Sequence, residues 1–219
     1  MNKFAKSKFF LVNFIDFKNK IDILKTSKLG GLEAQFRLAP KLRLKYDADK
    51  IKSNNPRKAA VLALFYPNEQ YETSFLLTQR ASYKGTHSAQ ISFPGGKTEK
   101  SDVNLQETAL RETFEEVGVN QSSIKMIREL TDVYIPPSNF LATPFIGLVH
   151  KKPIFILNHE VESTIEVLLK DLLDDKSLTT VNMNTSYMNN VNVPCFKLSN
   201  YIVWGATAMM LSEIKELIK

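Results

Sequence analysis

The stretch Leu110-Arg-Glu-Thr-Phe-Glu-Glu-Val-Gly118 decides how the rest of the chain is interpreted. In an α-helix each residue turns by about 100°, so residues three and four apart share a side. The glutamates of the stretch therefore point to one side: Glu112, Glu115 and Glu116. The apolar residues fall together on the opposite side, where they can pack on a sheet: Leu110, Phe114 and Val117. We predict an amphipathic helix from about residue 104 to residue 117, with Gly118 as its left-handed cap.

Carboxylates on one side of a helix repel one another, and each like-charged pair weakens the helix by roughly 0.2–0.5 kcal/mol. Arg111 can offset part of this repulsion by pairing with Glu115, four residues on. A divalent cation would offset far more, because Mg²⁺ and Mn²⁺ prefer carboxylate oxygens. On its own, Glu-x-x-Glu-Glu is most often a solvated acidic face. The preceding Gly95-Gly96 favours a metal site, because glycine backbone can approach a ligand closely and offer a carbonyl oxygen.

Apolar and alternating runs predict strands before and after this helix. The strands are expected over residues 58–66, 73–79, 89–93, 124–134, 141–149 and 196–203. The remaining elements are a helix or a strand–helix unit over 160–173, a long hairpin or loop over 174–195, and a terminal amphipathic helix over 205–218. Strands with a few helices between them indicate an α/β or α+β layered fold. We divide the chain into an N-terminal extension that packs on the domain, residues 1–50, and the domain itself, residues 51–219.

The segment from Gly96 to Val119 resembles the Nudix box. That pattern is a glycine, five residues, a glutamate, seven residues, and then Arg-Glu-apolar-x-Glu-Glu-x-Gly-apolar. Its second half matches at Arg111, Glu112, Glu115, Glu116, Gly118 and Val119. The sequence departs from the pattern in two ways: Thr113 stands where an apolar residue is usual, and the spacing from Gly96 to Arg111 is one residue longer. Asp102 stands near the position of the first glutamate, and its role is open. The resemblance implies a Nudix-type α/β/α sandwich with a mixed β-sheet, and metal-dependent hydrolysis of a nucleoside-diphosphate linkage.

Flanking segments resemble the coenzyme A pyrophosphatase branch of that family. They are LLTQRA (76–81), HSAQISFPGG (87–96), TALRE (108–112) and WGATA (204–208). Gly85 stands where that branch has a basic residue, with Lys84 one place earlier, and Ala89 replaces a glycine. The resemblance, over about residues 58–212, implies cleavage of coenzyme A or its derivatives to 4′-phosphopantetheine and adenosine 3′,5′-bisphosphate. Two alternatives stay open: a Nudix hydrolase for ADP-ribose or another nucleoside diphosphate derivative, and a non-catalytic Nudix-fold binding module, which usually lacks box carboxylates.

The resemblance also implies roles for individual residues. The Mg²⁺ or Mn²⁺ ligands would be Glu112, Glu116 and a carbonyl of Gly96 or Gly95, while Glu115 either shares a metal or is held by Arg111. These charged residues form the predicted catalytic set: Arg111, Glu112, Glu115 and Glu116. The predicted substrate-binding residues are Arg80, whose guanidinium can grip phosphate, together with Lys84, His87 and Gly95. Two alternatives stay open: Arg80 as a surface strand residue paired with a carboxylate, and His87 as a cap of the turn before Phe93. Glu112 is the first candidate for the general base, and Glu160 is the second.

Bulk properties limit the partners. The net charge of +6 suits a small polyanionic substrate, and the spread of the positive residues along the chain argues against nucleic acid. No apolar run approaches the roughly 20 residues of a membrane span. The lone Cys195 is expected to be a core or strand residue in a reducing, intracellular setting. A homodimer is left open.

We identify no clear targeting signal in the N-terminal or C-terminal residues. The basic N-terminus lacks the long apolar core and cleavage site of a secretory signal, and it has no arginine before residue 37. We expect an ordinary helix or strand there, with mitochondrial targeting left open. The C-terminal Glu-Leu-Ile-Lys is not a peroxisomal signal of the Ser-Lys-Leu type. The expected location is the cytoplasm.

Overall fold

The computed structural model describes residues 13–81, 90–185 and 188–219. An eight-stranded mixed sheet forms its centre. The strands are β1 (Arg57–Pro67), β2 (Thr73–Arg80), β3 (Ile91–Ser92), β4 (Gly95–Lys97), β5 (Lys125–Glu129), β6 (Val133–Ile135), β7 (Phe140–Leu148) and β8 (Val161–Leu168). Their order is β3-β2-β1-β7-β5, with β4 beside β1, β6 beside β7 and β8 beside β2. Strands β1 and β7 pair in parallel, and the other pairs are antiparallel.

The alternation of side chains along β1 separates two cores, because successive residues of a strand point to opposite faces. Leu62, Leu64 and Tyr66 pack with residues of α5 (Leu105–Val117). Ala63 and Phe65 join the opposite core. That core also receives apolar residues of the N-terminal helices α1 (Phe14–Asn19) and α2 (Ile21–Thr26) and of the C-terminal helix α7 (Gly205–Ile218). Helix α3 (Gly31–Phe36) packs against α7. Helices therefore cover both faces, and the predicted α/β/α sandwich with a mixed sheet is confirmed.

A second sheet follows β8 and α6 (Leu169–Leu173). Its antiparallel strands are β9 (Leu178–Thr185), β10 (Met188–Leu198) and β11 (Tyr201–Trp204). Of the options for 160–173 and 174–195, the structure has the strand–helix unit and the hairpin. The single strand predicted over 196–203 is wrong, because Ser199 (φ 46°) and Asn200 (φ 67°) make a two-residue turn there.

Further predicted boundaries change in detail. The strand predicted over 124–134 is two strands, β5 and β6, separated by residues 130–132. The third strand is reduced to Ile91–Ser92 within the described residues. A short helix, α4 (Ala48–Ser53), precedes β1. Among the described residues, no helix combines the length and apolar character needed to cross a bilayer.

The C-terminal helix α7 has the predicted bounds, but its amphipathic character was overestimated. Residues 207–215 of α7 are all buried, because α3 packs against the side that the pattern assigned to solvent. The buried Glu213 carboxylate accepts hydrogen bonds from Gly31 N (3.1 Å), Gln35 Nε2 (2.9 Å) and Thr131 Oγ1 (2.6 Å). This network joins the N-terminal segment to the main sheet, and the division of the chain at residue 50 stays a prediction.

Candidate active site

Helix α5 has a defined beginning and end, which fixes where its carboxylates point. The Asn104 side chain accepts a hydrogen bond from Glu107 N (2.9 Å), and the Glu107 carboxylate accepts one from Val103 N (2.8 Å). Gly118 ends the helix with φ 73°, and its N–H donates to Phe114 O (2.9 Å). The predicted bounds and the left-handed cap are confirmed.

The orientation of α5 differs from the prediction. Phe114 is 51% exposed, whereas Glu116 is only 3% exposed and lies on the side that packs against the sheet. The buried Thr113 is tolerated where an apolar residue is usual, because its hydroxyl donates to Ala109 O (2.7 Å). Glu116 therefore lies on the buried face of the helix and Glu112 is half-buried, whereas Glu115 is exposed.

Glu116 is held by partners from two distant segments. Its Oε2 accepts a hydrogen bond from Gly95 N (3.0 Å), and its Oε1 lies 3.4 Å from Arg80 Nη1. Burial raises the pKa of Glu116 to about 7, and the negative charges of Glu112 and Glu160 add to this rise. Burial also raises the pKa of Glu112. Burial thus destabilises the charged forms of both carboxylates, although an arginine contacts each of them.

The glycine pair allows the sheet to approach the helix closely. In β4, Gly95 pairs with Val61 and Gly96 with Ala60. A Cβ on Gly96 would lie 2.5 Å from the carboxylate atoms of Glu112. Gly95 has φ 149°, and a Cβ there would lie 2.3 Å from Ala60 O. Glycine is required at position 96 because a Cβ would displace the Glu112 carboxylate, and at position 95 because a Cβ would clash with the backbone of β1.

Arg111 organises the outer carboxylates. Its Nη1 contacts Glu112 Oε1 (3.1 Å) and Glu115 Oε2 (3.0 Å), which confirms the predicted pairing with Glu115. Its Nε and Nη2 grip the two oxygens of Asp102, each at 2.9 Å. The Arg111 guanidinium holds the pKa of Asp102 well below its usual range. Burial acts against this lowering, and hydrogen bonds from Glu99 N and the Thr108 hydroxyl add to it. Asp102 therefore orients Arg111, a role that the sequence left open.

The loop before β8 brings a further carboxylate to this cluster. Glu160 Oε2 lies 3.2 Å from Arg80 Nη2, so Arg80 bridges Glu160 and Glu116. The loop is held on α5 by Asn158 N, which donates to Glu116 O (3.2 Å). It is held on β2 by Ala81 N, which donates to Glu160 O (2.8 Å). The second candidate base is thereby placed at the site.

Comparison with known proteins decides the family. A model of the NUDIX domain matches residues 56–178. The chain belongs to the Nudix family. It is similar to the uncharacterized Nudix hydrolases NudL of Yersinia pestis and Yersinia pseudotuberculosis, at 30% identity over 161 residues, which are 73% of this chain and 79% of each relative. It is therefore a Nudix hydrolase, an enzyme that acts on phosphorus-containing anhydrides.

A solved structure agrees on the Nudix fold. A MutT/nudix family protein from Enterococcus faecalis superposes with a TM-score of 0.51 at 14% sequence identity, covering 82% of this chain and 75% of that protein. At this identity the likeness concerns the fold alone.

The structure brings the predicted Nudix site residues together, with two exceptions outside the described residues. Contacts link Arg80, Gly95, Gly96, Arg111, Glu112, Glu115 and Glu116. Lys84 and His87 lie outside the described residues. No three His, Cys, Asp or Glu side chains in the described ranges are arranged as a ready metal cage, since Arg80 and Arg111 engage the carboxylates.

Residues excluded from the site also have clear positions. His150 and His159 are exposed. Cys195 is buried in β10, where burial raises the pKa of its thiol, so the prediction of a core strand residue is confirmed. Sequence reasoning missed the Asp102–Arg111 pair. The signal was present, because Asp102 stands six residues after Gly96, as the box's first glutamate does.

Proposed function

We propose that this Nudix hydrolase cleaves the diphosphate of coenzyme A or its derivatives to 4′-phosphopantetheine and adenosine 3′,5′-bisphosphate. The main support for a hydrolytic site is the burial of the Glu116 carboxylate, which contacts Gly95 N and Arg80 and lies near Glu112. Preference for coenzyme A is supported by the flanking motifs. Two of them meet in the fold, because the Thr207 hydroxyl donates to Ile91 O (2.9 Å).

The residues present fit a divalent metal ion such as Mg²⁺ or Mn²⁺. Nudix hydrolases generally use divalent metals, and the oxygens of Glu112 and Glu116 are the hard donors that such ions prefer. The raised pKa values of both carboxylates mean that a nearby cation would stabilise their charged forms. A Cβ on Gly96 would lie 2.5 Å from the carboxylate of Glu112, so glycine at this position leaves the space beside Glu112 open. Glu112, Glu116 and Gly96 would hold the metal, with Glu115 shared or kept by Arg111.

The chain's own groups position the reactants. A metal held by Glu112, Glu116 and Gly96 would supply positive charge for the diphosphate and would lower the pKa of the attacking water. Arg111 keeps Glu112 and Glu115 in place, since Asp102 holds it by two hydrogen bonds. Glu112 or Glu160 would accept the proton of the water, because both carboxylates lie at this site.

Substrate contacts are assigned to the cationic and backbone groups at the same place. Arg80 lies between Glu116 and Glu160, and its guanidinium can turn from these carboxylates to a substrate phosphate. Gly95 contributes backbone that comes close to the substrate, and Lys84 and His87 complete the proposed set. The partner is a small nucleotide-like molecule.

The test is hydrolysis of coenzyme A by the full chain with Mg²⁺ or Mn²⁺, followed by chromatography of the products. We expect 4′-phosphopantetheine and adenosine 3′,5′-bisphosphate in equal amounts. Glu116→Gln should lower kcat by roughly a hundredfold or more, because it removes a charged ligand from the reacting centre. The matched control is Glu69→Gln, an exposed glutamate between β1 and β2, which should keep full activity.

The other outcomes separate the competing functions. Full activity in Glu116→Gln would contradict the ligand assignment. A higher kcat/KM for ADP-ribose or a dinucleotide would transfer the proposal to that substrate. Tight nucleotide binding without turnover at any metal concentration would indicate a binding module.

A further inference from the structure

Strand β9 forms one edge of the three-stranded sheet, and within residues 13–81, 90–185 and 188–219 no strand pairs with its outer side. Its eight residues, Leu178–Thr185, contain no charged residue and no proline. Two outer strands of the main sheet carry charges: β8 has Glu162 and Glu166, and β5 has Lys125, Arg128 and Glu129. The opposite edge of the second sheet, β11, is also uncharged, but it contacts β3 of the main sheet. Proteins protect outer strands with charges, prolines or covering elements, because an open edge pairs readily with another strand.

The turn after β10 determines which backbone groups of β9 face outward. Leu198 and Tyr201 close the two-residue turn, so Leu198 and every second residue before it bond toward β11. Cys195 is in the other phase and bonds toward β9, where it pairs with Thr179. Alternate residues of β9, beginning with Thr179, therefore bond inward.

The intervening residues of β9 point their N–H and C=O groups to the open edge: Thr180, Asn182 and Asn184. The position of Pro194 agrees with this phase, because it pairs with Thr180 and has no N–H to donate. The three outward residues have exposed, neutral polar side chains. They form a row of donors and acceptors at regular spacing.

A groove beside this edge favours an uncharged partner strand. It has a volume of about 510 Å³ and lies between β9, β10 and α7, with Leu178, Thr180, Pro194 and Phe196 on the sheet side. Its charged groups are paired within the chain. Lys215 and Lys219 lie 3.2 and 2.6 Å from Asp175, and Arg37 lies 2.6 Å from Glu216. A charged partner strand would gain nothing here, whereas a neutral one leaves these pairs intact.

We propose that β9 is a dimer interface, on which β9 of a second copy pairs antiparallel about a two-fold axis. The chain itself supplies a strand with the required properties, since β9 is neutral, extended and able to pair with itself. Antiparallel edge pairing is self-complementary, so one surface serves both copies and the assembly closes as a dimer. The three-stranded sheets of the two copies would become one continuous sheet. The side chains of Thr180, Asn182 and Asn184 of each copy would then lie over the groove of the other copy. This inference does not depend on the substrate.

Light scattering of the full chain over a wide range of concentrations tests the interface. We expect a dimer of the 24.9 kDa chain that dissociates on dilution. Thr180→Pro with Asn182→Pro removes two outward N–H groups per copy and leaves the inward ladder intact, because an outer strand tolerates proline there. The dissociation constant of the dimer should rise by roughly a hundredfold or more in this variant, while hydrolase activity is retained. Thr180→Val with Asn182→Thr keeps the N–H groups and should stay dimeric.

Amide hydrogen exchange supplies a second measurement, which does not depend on the proline variant folding. The Thr180 and Asn182 amides should exchange slowly in the dimer and fast after dilution, and Asn182→Lys should abolish this slow exchange. A chain that is monomeric at every concentration overturns the proposal, as does a dimer that the proline pair leaves unchanged. Slow exchange that persists at every dilution also overturns it, because it would mean that the chain covers its own edge.

Discussion

Glu116 is the residue whose burial sets the charge balance of the site. Its pKa is raised to about 7 from 4.5, chiefly by burial. Below pH 4.5 the group is neutral in both the folded and the unfolded chain, so its burial carries no charge penalty. As the pH rises from about 4.5 to 7, the unfolded chain ionises first and stability is lost. Above pH 7 the loss reaches about 3 kcal/mol, because each unit between the two pKa values corresponds to about 1.4 kcal/mol.

Glu116→Gln should therefore stabilise the metal-free protein more at pH 8 than at pH 5, by at most about 3 kcal/mol. Urea denaturation at both pH values, with a chelator present, gives the free energies of unfolding. Glu69→Gln reports the general effect of removing one exposed charge and is subtracted. An equal effect of Glu116→Gln at the two pH values would mean that burial does not raise the pKa of this carboxyl.

Residue spacing predicted part of the site. Helical periodicity gave the common side of the glutamates and the pairing of Arg111 with Glu115. It could not give the depth of Glu116, because Gly95 and Arg80, which hold it, lie 21 and 36 residues away in the chain. The exposure of Phe114 follows from the same cause, since drawing Glu116 inward rotates Phe114 toward solvent.

Among the elements, β4 joins fold and site through two adjacent glycines with different constraints. At Gly96 a Cβ meets the end of the flexible Glu112 side chain, so Gly96→Ala should displace Glu112 and preserve the fold. We expect kcat to fall about a hundredfold or more, as misplacement of a catalytic group by about 1 Å does. At Gly95 a Cβ meets the backbone of Ala60, so Gly95→Ala should lower the free energy of unfolding by more than about 2 kcal/mol.

Gly205→Ala is the control for these two variants. Gly205 also has a left-handed backbone (φ 66°), but a Cβ there meets nothing within 4 Å. It should cost only the backbone strain, about 1–2 kcal/mol, and leave kcat unchanged. Thermal unfolding and coenzyme A hydrolysis measure both effects. Full activity in Gly96→Ala, or a Gly95→Ala protein no less stable than Gly205→Ala, would contradict the assignment.

Element boundaries were predictable where the chain carries a strong local signal. Asn104 and Gly118 delimit α5, and the periodic run after Gly205 gave the bounds of α7. The turn at Ser199-Asn200 was missed because two-residue turns with positive φ are usually marked by glycine, which is absent here. The burial of α7 was missed because it depends on α3, far away in the sequence.

For the whole molecule, the sequence predicted the layers but not how the N-terminal segment contributes to them. The NUDIX model begins at residue 56, yet helices α1 and α2 place apolar side chains in the main core. Phe17 is 1% exposed, and its ring lies 4.9 Å from that of Phe65 in β1. Each of these helices has only six residues, which is too short for a periodic pattern that would predict this packing.

Phe17→Ala tests whether this segment folds with the sheet as one unit. Truncating a buried Phe to Ala removes its contacts and leaves a cavity, so we expect a loss of about 3–5 kcal/mol in the free energy of unfolding. That is a large share of the 5–15 kcal/mol typical of a domain. Urea unfolding followed by circular dichroism and by activity should give coincident, single transitions, because Phe17 shares its core with β1.

Ile23→Ala is the control, at a position of α2 that is 59% exposed, and it should change the free energy of unfolding by less than about 0.5 kcal/mol. Two separate transitions, or a Phe17→Ala protein as stable as Ile23→Ala, would instead make residues 13–26 an independent appendage of the Nudix domain.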